Sequence, residues 1–272
     1  MEKIYLWENG KTPYYNEEYG QPETSLIPYI VPVQKDENGN VKKTGCVIVC
    51  TGGGYTHLGP RESDPMAEMI NEAGISAFVL NYRFGPYKAP AIISDIQRAV
   101  RWVRYHAEEY NIDPEKIACM GFSAGGHLSS MAATLFDYGL EEGDEIDRVS
   151  CRPNAAVLCY AVTTMDLDFG DEISRGVFVG GLENEDELEK LYSAHLNVRD
   201  DTPPMFIWHT AADPIVPVEN ALQMSTALSA KKIPFELHVF PDGAHGLARA
   251  EDIPGTCQWS DLLKNWLKRM EF

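Results

Sequence analysis

The 272-residue sequence lacks features that mark membrane and secreted proteins. It has no apolar run of the roughly eighteen residues that a transmembrane helix needs. Its start, Met1 to Tyr5, has no basic residues followed by an apolar stretch, as a secretory signal peptide would. No CxxC pair occurs, and Cys46 and Cys50 lie about 13 Å apart on an extended strand, too far for a disulfide. These absences predict a soluble, cytoplasmic protein.

Positive charge is also scarce. There are 23 Lys and Arg against 41 Asp and Glu, which gives a formal net charge of −18. This charge repels phosphate backbones and anionic headgroups, so we expect neither a nucleic acid nor a membrane as a partner. The seven histidines show no HExxH and no Cys/His ligand spacing, which argues against a metal site. Both a monomer and a homo-oligomer are compatible with the sequence.

One short motif stands out among the features that are present. An apolar run, Ile117 to Phe122, leads directly into Gly121-Phe122-Ser123-Ala124-Gly125, and helical spacing of apolar residues follows it until Gly139. Flanking glycines allow Ser123 to sit in a tight strand-to-helix turn, because they remove Cβ atoms that would collide with neighbouring backbone. The pattern predicts an exposed serine hydroxyl at the edge of a sheet.

Strand and helix patterns alternate from about residue 45 to the end of the chain. Short apolar runs predict strands at 47–50, 75–80, 117–122, 155–162, 205–209 and 235–240. Helical faces lie between them at 92–103 and 218–228, with a last one at 259–270. This alternation predicts an α/β fold with a mostly parallel central sheet and helices on both faces. Near the N-terminus, 36–40 predicts a hairpin turn between antiparallel edge strands.

The length and the 44% hydrophobic content suit one domain over residues 1–272. The stretch from Thr163 to Pro204 is too long for an ordinary connection between a strand and the next. We expect small helices there, forming a cap-like insertion near the carboxyl ends of the strands. The insertion either shapes a ligand pocket or is a surface feature without a ligand role.

A serine nucleophile needs a base and an acid that orients the base. Asp213 follows the strand 205–209, and His245 follows the strand 235–240 in a glycine-rich turn. The carboxyl ends of parallel strands share one edge of the sheet, so both side chains are expected near Ser123. Asp242 is a poorer acid because it lies three residues from His245 in one turn. The three glycines after Thr51 leave backbone amides free to face negative charge.

These segments together resemble the α/β-hydrolase esterases, in particular the groups related to hormone-sensitive lipase and to acetyl-xylan or feruloyl esterases. The similarity covers roughly residues 45 to 250. The blocks that carry it are Gly52-Gly53-Gly54-Tyr55, Asn81-Tyr82-Arg83, Ala99-Val100-Arg101-Trp102, Gly121 to His127, Asp213 to Pro217 and Gly243 to Gly246. One departure is Thr51, where many relatives have histidine before the glycines.

The resemblance implies Ser123 as nucleophile, His245 as general base and Asp213 as the acid that orients it. It also implies that the backbone amides of Gly53, Gly54 and Ala124 stabilise the oxyanion. His127, one turn past the serine, is expected to pack or hydrogen-bond rather than to react.

The expected function is a serine carboxylesterase that needs no cofactor. Its expected substrates are small soluble esters of short acyl groups, including acetyl esters of sugars or xylo-oligosaccharides. Two alternatives remain open at this point. One is a prolyl-oligopeptidase-like serine peptidase, although such enzymes usually carry an additional domain. The other is a non-catalytic receptor for a small ligand on the same fold, which would normally have lost a member of the triad.

Overall fold

A computed structural model describes residues 2–7, 12–21, 24–35 and 37–272. The described residues form ten strands, seven α-helices and four 3₁₀ helices. The strands are β1 (Ile4–Tyr5), β2 (Ser25–Tyr29), β3 (Gln34–Lys35), β4 (Val41–Lys42), β5 (Thr44–Cys50), β6 (Ser76–Asn81), β7 (Ile112–Phe122), β8 (Ala155–Cys159), β9 (Met205–Thr210) and β10 (Phe235–Phe240). The α-helices are α1 (Asp64–Glu72), α2 (Ala91–Tyr105), α3 (Ala124–Thr134), α4 (Glu172–Phe178), α5 (Glu185–Leu191), α6 (Glu219–Ala230) and α7 (Trp259–Arg269), and the 3₁₀ helices are Glu17–Tyr19, Pro60–Glu62, Ala194–Asn197 and Thr256–Gln258.

Eight strands form one sheet in the order β1-β2-β6-β5-β7-β8-β9-β10. The six strands from β6 to β10 in this order are parallel, and β2 and β1 add antiparallel strands at one edge. The predicted fold class is therefore confirmed. One strand is shorter than predicted: β8 ends at Cys159 rather than at 162, because Tyr160 has a positive φ of 36° that leaves the extended conformation.

The predicted N-terminal hairpin pairs β3 with β4, with Gln34 opposite Lys42. Part of its turn, Asp36, lies outside the described residues. The expectation that this hairpin lies at the edge of the central sheet is wrong, because β3 and β4 form a separate two-stranded sheet. The antiparallel edge is instead built by β1 and β2.

The apolar side chains of the parallel strands alternate between two cores. On β5, Cys46, Ile48 and Cys50 pack on one side of the sheet, while Val47 and Val49 pack on the other. Burial of both faces explains why the parallel strands read as continuous apolar runs. The first core includes the buried faces of α2, α3 and α6, and the second includes those of α1 and α7.

The helices differ from expectation at two places. The helix after Ser123 ends at Thr134, earlier than the predicted stop at Gly139. Helix α1 was not predicted, although Met66, Met69 and Ile70 have the spacing of one buried helical face. As expected, residues 163–204 contain small helices, α4, α5 and a 3₁₀ turn. Among the helices of the described residues, none has both the length and the apolar composition of a membrane-spanning segment.

Candidate active site

Ser123 lies in the sharp turn between β7 and α3. Its backbone has φ 53° and ψ −121°, a conformation that residues with a Cβ rarely adopt. Its N–H donates to the carbonyl oxygen of Cys159 at 3.1 Å. A Cβ atom added to Gly121 would lie 2.0 Å from the carbonyl oxygen of Gly125, and one added to Gly125 would lie 2.2 Å from that of Cys50. Only glycine therefore allows the strand, the turn and the helix to pack this closely.

The structure brings Ser123, His245 and Asp213 into one hydrogen-bonded line. The Nε2 atom of His245 lies 2.7 Å from Oγ of Ser123, and its Nδ1 atom lies 2.7 Å from Oδ2 of Asp213. The three residues follow β7, β10 and β9, whose carboxyl ends meet at the same edge of the sheet. This arrangement has the geometry of a nucleophile, a base and an orienting acid.

The carboxylate of Asp213 is buried, with 1% of its side chain exposed. Burial acts to raise the pKa of Asp213, but the contact with His209, the hydrogen bond from His245 and the backbone amide of Ile215 outweigh it, so the pKa lies well below its usual value. Its Oδ1 atom accepts the amides of Ile215 at 2.9 Å and Val216 at 3.0 Å. Asp213 is therefore ionised at neutral pH and accepts the Nδ1–H of His245.

That bond determines which nitrogen of His245 is free. An ionised carboxylate can only accept, so the proton of the neutral imidazole resides on Nδ1. Nε2 then carries a lone pair and accepts the hydroxyl proton of Ser123. The neutral ring is thus in the tautomer that a general base for the serine requires.

His209 was not singled out from the sequence, but it contacts the acid. Its Nε2 atom lies 3.5 Å from Oδ2 of Asp213 and 2.9 Å from the carbonyl oxygen of Val216. A polar residue near the carboxyl end of a buried strand, four residues before Asp213, was the available signal. The contact helps to hold the carboxylate in its ionised form.

The glycine loop after β5 lies beside Ser123. Gly53 and Gly54 have φ of 128° and 58°, and a Cβ atom at Gly53 would lie 2.2 Å from the carbonyl oxygen of His57. Both glycines line the same cavity as Ser123 and His245. Ala124 is buried and begins α3, so its amide belongs to the first turn, whose N–H groups have no partner within the helix.

A buried carboxylate supports this loop. Oε2 of Glu62 accepts the amide of Gly52 at 2.6 Å, and Oε1 accepts the hydroxyl of Tyr160 at 2.6 Å. The amide of Gly52 is therefore not available to a ligand. Burial raises the pKa of the Glu62 carboxyl above its usual value, while the bonds from Tyr160 and Gly52 oppose the rise. Sequence reasoning missed Glu62 because no pattern connects it to the glycines ten residues earlier.

The other end of the loop is held by His127. The hydroxyl of Tyr55 lies 2.7 Å from Nδ1 of His127, whose Nε2 atom lies 2.7 Å from the carbonyl oxygen of Tyr192. Because a carbonyl only accepts, Nε2 carries the proton and Nδ1 accepts the Tyr55 hydroxyl. Burial lowers the pKa of His127 to about 4, although the bond to Tyr192 opposes this. His127 is thus a neutral, hydrogen-bonding residue.

A cavity of about 430 Å³ opens above Ser123 and His245. Its walls include Ile173 and Ile215, two apolar side chains of which 60% and 55% is exposed. Arg61 adds a positive charge at the same cavity. The residues of 163–204 that reach it are Asp171 and Ile173.

No group of three or more His, Cys, Asp and Glu side chains that could hold a metal ion occurs in residues 2–7, 12–21, 24–35 and 37–272.

The six cysteines are free, and five of them are buried. Burial raises the pKa of the Cys46 thiol well above its usual range, as expected of an unreactive core residue.

Comparisons with known proteins relate this site to esterases. The endo-1,4-beta-xylanase B of Butyrivibrio fibrisolvens is 39% identical over 222 residues, which are 79% of this chain and 34% of that protein. The acetylxylan esterase of Xylanibacter ruminicola is 33% identical over 226 residues, which are 82% of this chain and 45% of that protein. The chain thus spans less than half the length of these curated relatives.

A solved structure is similar over its whole length. The acetyl ester-xyloside bifunctional hydrolase of Caldicellulosiruptor lactoaceticus is 43% identical, with a TM-score of 0.93 over 100% of this chain and 97% of that one. The model of the BD-FAE family matches residues 33–228. The chain therefore belongs to the BD-FAE family and has the α/β-hydrolase fold.

Proposed function

We propose that the protein is a serine carboxylesterase that hydrolyses small soluble esters of short acyl groups through an acyl-enzyme on Ser123. The observation that carries the proposal is the hydrogen-bonded line from Ser123 through His245 to Asp213, with 2.7 Å at each of its two contacts. The names of the relatives, which include an acetylxylan esterase, support the same reaction class.

In the first half of the proposed reaction, Oγ of Ser123 attacks the ester carbonyl carbon while Nε2 of His245 takes the hydroxyl proton. The carbonyl electrons move to oxygen, and the amides of Gly53, Gly54 and Ala124 donate hydrogen bonds to that oxyanion. Collapse of the intermediate breaks the bond to the alcohol, which leaves with the proton from the imidazolium. Asp213 stabilises the imidazolium while it exists.

In the second half, water attacks the acyl-enzyme. His245 takes a proton from the water, and a second tetrahedral intermediate forms with its oxyanion at the same amides. Collapse releases the carboxylic acid, and the imidazolium returns its proton to Ser123. Protons and electron pairs move only among Ser123, His245, the ester and water, while Asp213 stays ionised, so the proposed reaction needs no cofactor.

For the substrate, we propose acetyl esters of sugars or xylo-oligosaccharides. A cavity of about 430 Å³ has room for a short acyl group together with a sugar ring. Two relatives carry names from xylan degradation, which supports a sugar as the alcohol part. Acetate released from acetylated xylo-oligosaccharides is the direct test, and preference for octanoate over acetate esters would contradict it.

We further propose one domain over residues 1–272, in which 163–204 acts as a cap-like insertion. The pairing of Ala156 with Met205 supports this, because the sheet continues directly from β8 to β9 across the insertion. Ile173, which lines the cavity from the insertion, gives a test. Ile173→Ala should improve kcat/KM for butyrate relative to acetate severalfold, and an unchanged ratio would assign the insertion no role in binding.

The proposed location is the cytoplasm, and the proposed partners are small esters rather than nucleic acids or membranes. The free cysteines support a reducing compartment, and the net charge of −18 opposes binding to polyanions. Cell fractionation tests the location, and sedimentation at several protein concentrations decides between a monomer and a homo-oligomer.

The activity itself is tested with nitrophenyl acetate, butyrate and octanoate. Ser123→Ala should reduce kcat by about a thousandfold or more, because the nucleophile is lost. Asp213→Asn should reduce kcat by about ten-thousandfold, because the amide no longer selects the required tautomer of His245. Equal, negligible rates for wild type and Ser123→Ala would instead favour a non-catalytic receptor, and cleavage of peptides rather than esters would favour a peptidase.

A further inference from the structure

Glu62 connects two loops that the proposed mechanism needs. On one side it accepts a hydrogen bond from the amide of Gly52, the residue directly before Gly53 and Gly54, two of the proposed oxyanion donors. On the other side it accepts the hydroxyl of Tyr160, whose oxygen accepts the amide of Ala248 at 3.0 Å. Ala248 lies three residues after His245 on the same loop. Four hydrogen-bonding groups thus join the glycine loop to the histidine loop.

The bond directions suit an ionised carboxylate. An amide can only donate, so Gly52 and Ala248 are the donors in their bonds. The Tyr160 oxygen already accepts from Ala248, and its own hydrogen is directed to Glu62. Glu62 therefore accepts two bonds and donates neither. With only 7% of the residue exposed, these bonds form in an environment that strengthens them.

The same carboxylate lies near the proposed base. The Tyr160 ring packs edge-on against the imidazole of His245, with 5.1 Å between ring centroids, and its hydroxyl contacts Glu62 directly. The charged and titratable groups that interact with Glu62 include Tyr160, His245 and the exposed Arg61, together with the buried Tyr82 and Cys159. A buried negative charge at this place favours the imidazolium over the neutral ring.

We propose that Glu62 is a positioning residue that holds the oxyanion loop against the His245 loop and stabilises, by its charge, the imidazolium that forms during catalysis. This rests on the proposed function. Glu62 also lies in the wall of the cavity above Ser123 and His245, and its proposed role is exerted through Gly52 on one side and through Tyr160 on the other.

Three variants separate the two parts of this role. Glu62→Gln removes the charge and keeps the size of the side chain: its amide oxygen can still accept from Gly52, and its NH2 group can donate to the Tyr160 oxygen once the hydroxyl hydrogen turns away. Glu62→Ala removes both charge and anchor. Tyr160→Phe keeps the carboxyl group of Glu62 and breaks its link to the histidine loop. Glu68→Gln is the matched control, because Glu68 is an exposed carboxylate on α1 and its loss changes the net charge equally.

The first measurement is the pH profile of kcat/KM for nitrophenyl acetate. Glu62→Gln should move the midpoint of the acid limb down by about half a pH unit and lower kcat about tenfold, with KM nearly unchanged. Glu62→Ala should lower kcat about a hundredfold. Tyr160→Phe should lower kcat with little movement of the midpoint, and Glu68→Gln should match the wild type.

A second measurement does not depend on activity. The ring protons of His245 are titrated by NMR in wild type and Glu62→Gln, with His245→Gln used for assignment. The titration of Glu62→Gln should be displaced to lower pH in the same way as the kinetic profile. If Ser123→Ala and wild type hydrolyse every ester equally, the proposed function fails, and the titration still decides whether Glu62 acts on His245.

The proposal is overturned if Glu62→Gln keeps both the wild-type midpoint and the wild-type kcat. It is also overturned if the variants lose activity only in proportion to the fraction that unfolds, measured by circular dichroism, with no displacement of the midpoint. If Glu62→Ala fails to fold, the pH profile and the NMR titration of the isosteric Glu62→Gln still test the proposal.

Discussion

The pH dependence of stability should contain a distinct contribution from His127. This residue is fully buried between Tyr55 and Tyr192, and its pKa falls from 6.5 to about 4 because burial disfavours the charged ring. As the pH falls below about 6.5, the unfolded chain binds a proton at this position, whereas the folded chain stays neutral until about pH 4. The free energy of unfolding therefore decreases with falling pH across this window.

The size of the effect follows from the difference between the two pKa values. Each unit corresponds to about 1.4 kcal/mol, so the full contribution of His127 is about 3 kcal/mol. Between about pH 7 and about pH 5, the same relation gives a loss of about 2 kcal/mol. Above the pKa of the unfolded chain, 6.5, His127 makes its full contribution to stability. Below the pKa of the folded chain, about 4, a further fall in pH removes no more stability through this residue.

Urea unfolding followed by circular dichroism at these two pH values measures the loss. His127→Gln should be less stable at both, but the difference between its two free energies should be smaller than that of the wild type by about 2 kcal/mol. Leu128→Ala is a matched control on the same helix. It should cost about 2–5 kcal/mol through a cavity and keep the wild-type pH difference. The reasoning is refuted if His127→Gln loses as much stability on acidification as the wild type.

Two further predictions concern packing and buried charge. Gly125→Ala should abolish most esterase activity, because its Cβ atom would lie 2.2 Å from the carbonyl oxygen of Cys50. At Gly176 an added Cβ atom would meet nothing within 4 Å, so Gly176→Ala should stabilise α4 by about 0.5–1 kcal/mol and keep normal kinetics. The guanidinium of Arg83 lies 2.6 Å from the carboxylate of Asp95, and 1% of the Arg83 side chain is exposed. Asp95→Ala would leave this buried charge without its partner, so it should destabilise the fold by about 3–5 kcal/mol in thermal or urea unfolding. Activity in Gly125→Ala, or a loss below about 1 kcal/mol in Asp95→Ala, would contradict these estimates.

The parallel sheet could be predicted because its inner strands are buried on both faces, whereas the edge strand β10 is only partly buried. Burial on both sides requires continuous apolar runs such as Val47 to Cys50, which are visible without any tertiary information. The helices repeat apolar residues at the helical period because each helix buries one face against the core. Helix α1 was missed because its apolar positions occupy only nine residues, too few for the period to stand out. The position of the N-terminal hairpin was wrong because a local turn pattern does not say which sheet its strands join.

The placement of Ser123, Asp213 and His245 was also accessible in advance, since each follows a strand and parallel strands end at a common edge. Topology alone therefore brings their backbones together. The distances, the tautomer of His245 and the contact of His209 with Asp213 depend on side-chain packing and could not be read from the chain.

The sequence by itself determined the strand order along the chain, the glycines that permit the turn at Ser123 and the three loops that carry reactive side chains, because these depend on local chemistry and on periodic burial. Only the tertiary structure decided that Tyr160 donates a hydrogen bond to Glu62, 98 positions away in the sequence. It also decided that the Gly52 amide donates to the same carboxylate and that His127 is buried as a neutral ring. Such polar pairings are selected by desolvation in a folded interior, where an unpartnered charge or donor is costly, and neither spacing nor composition records them.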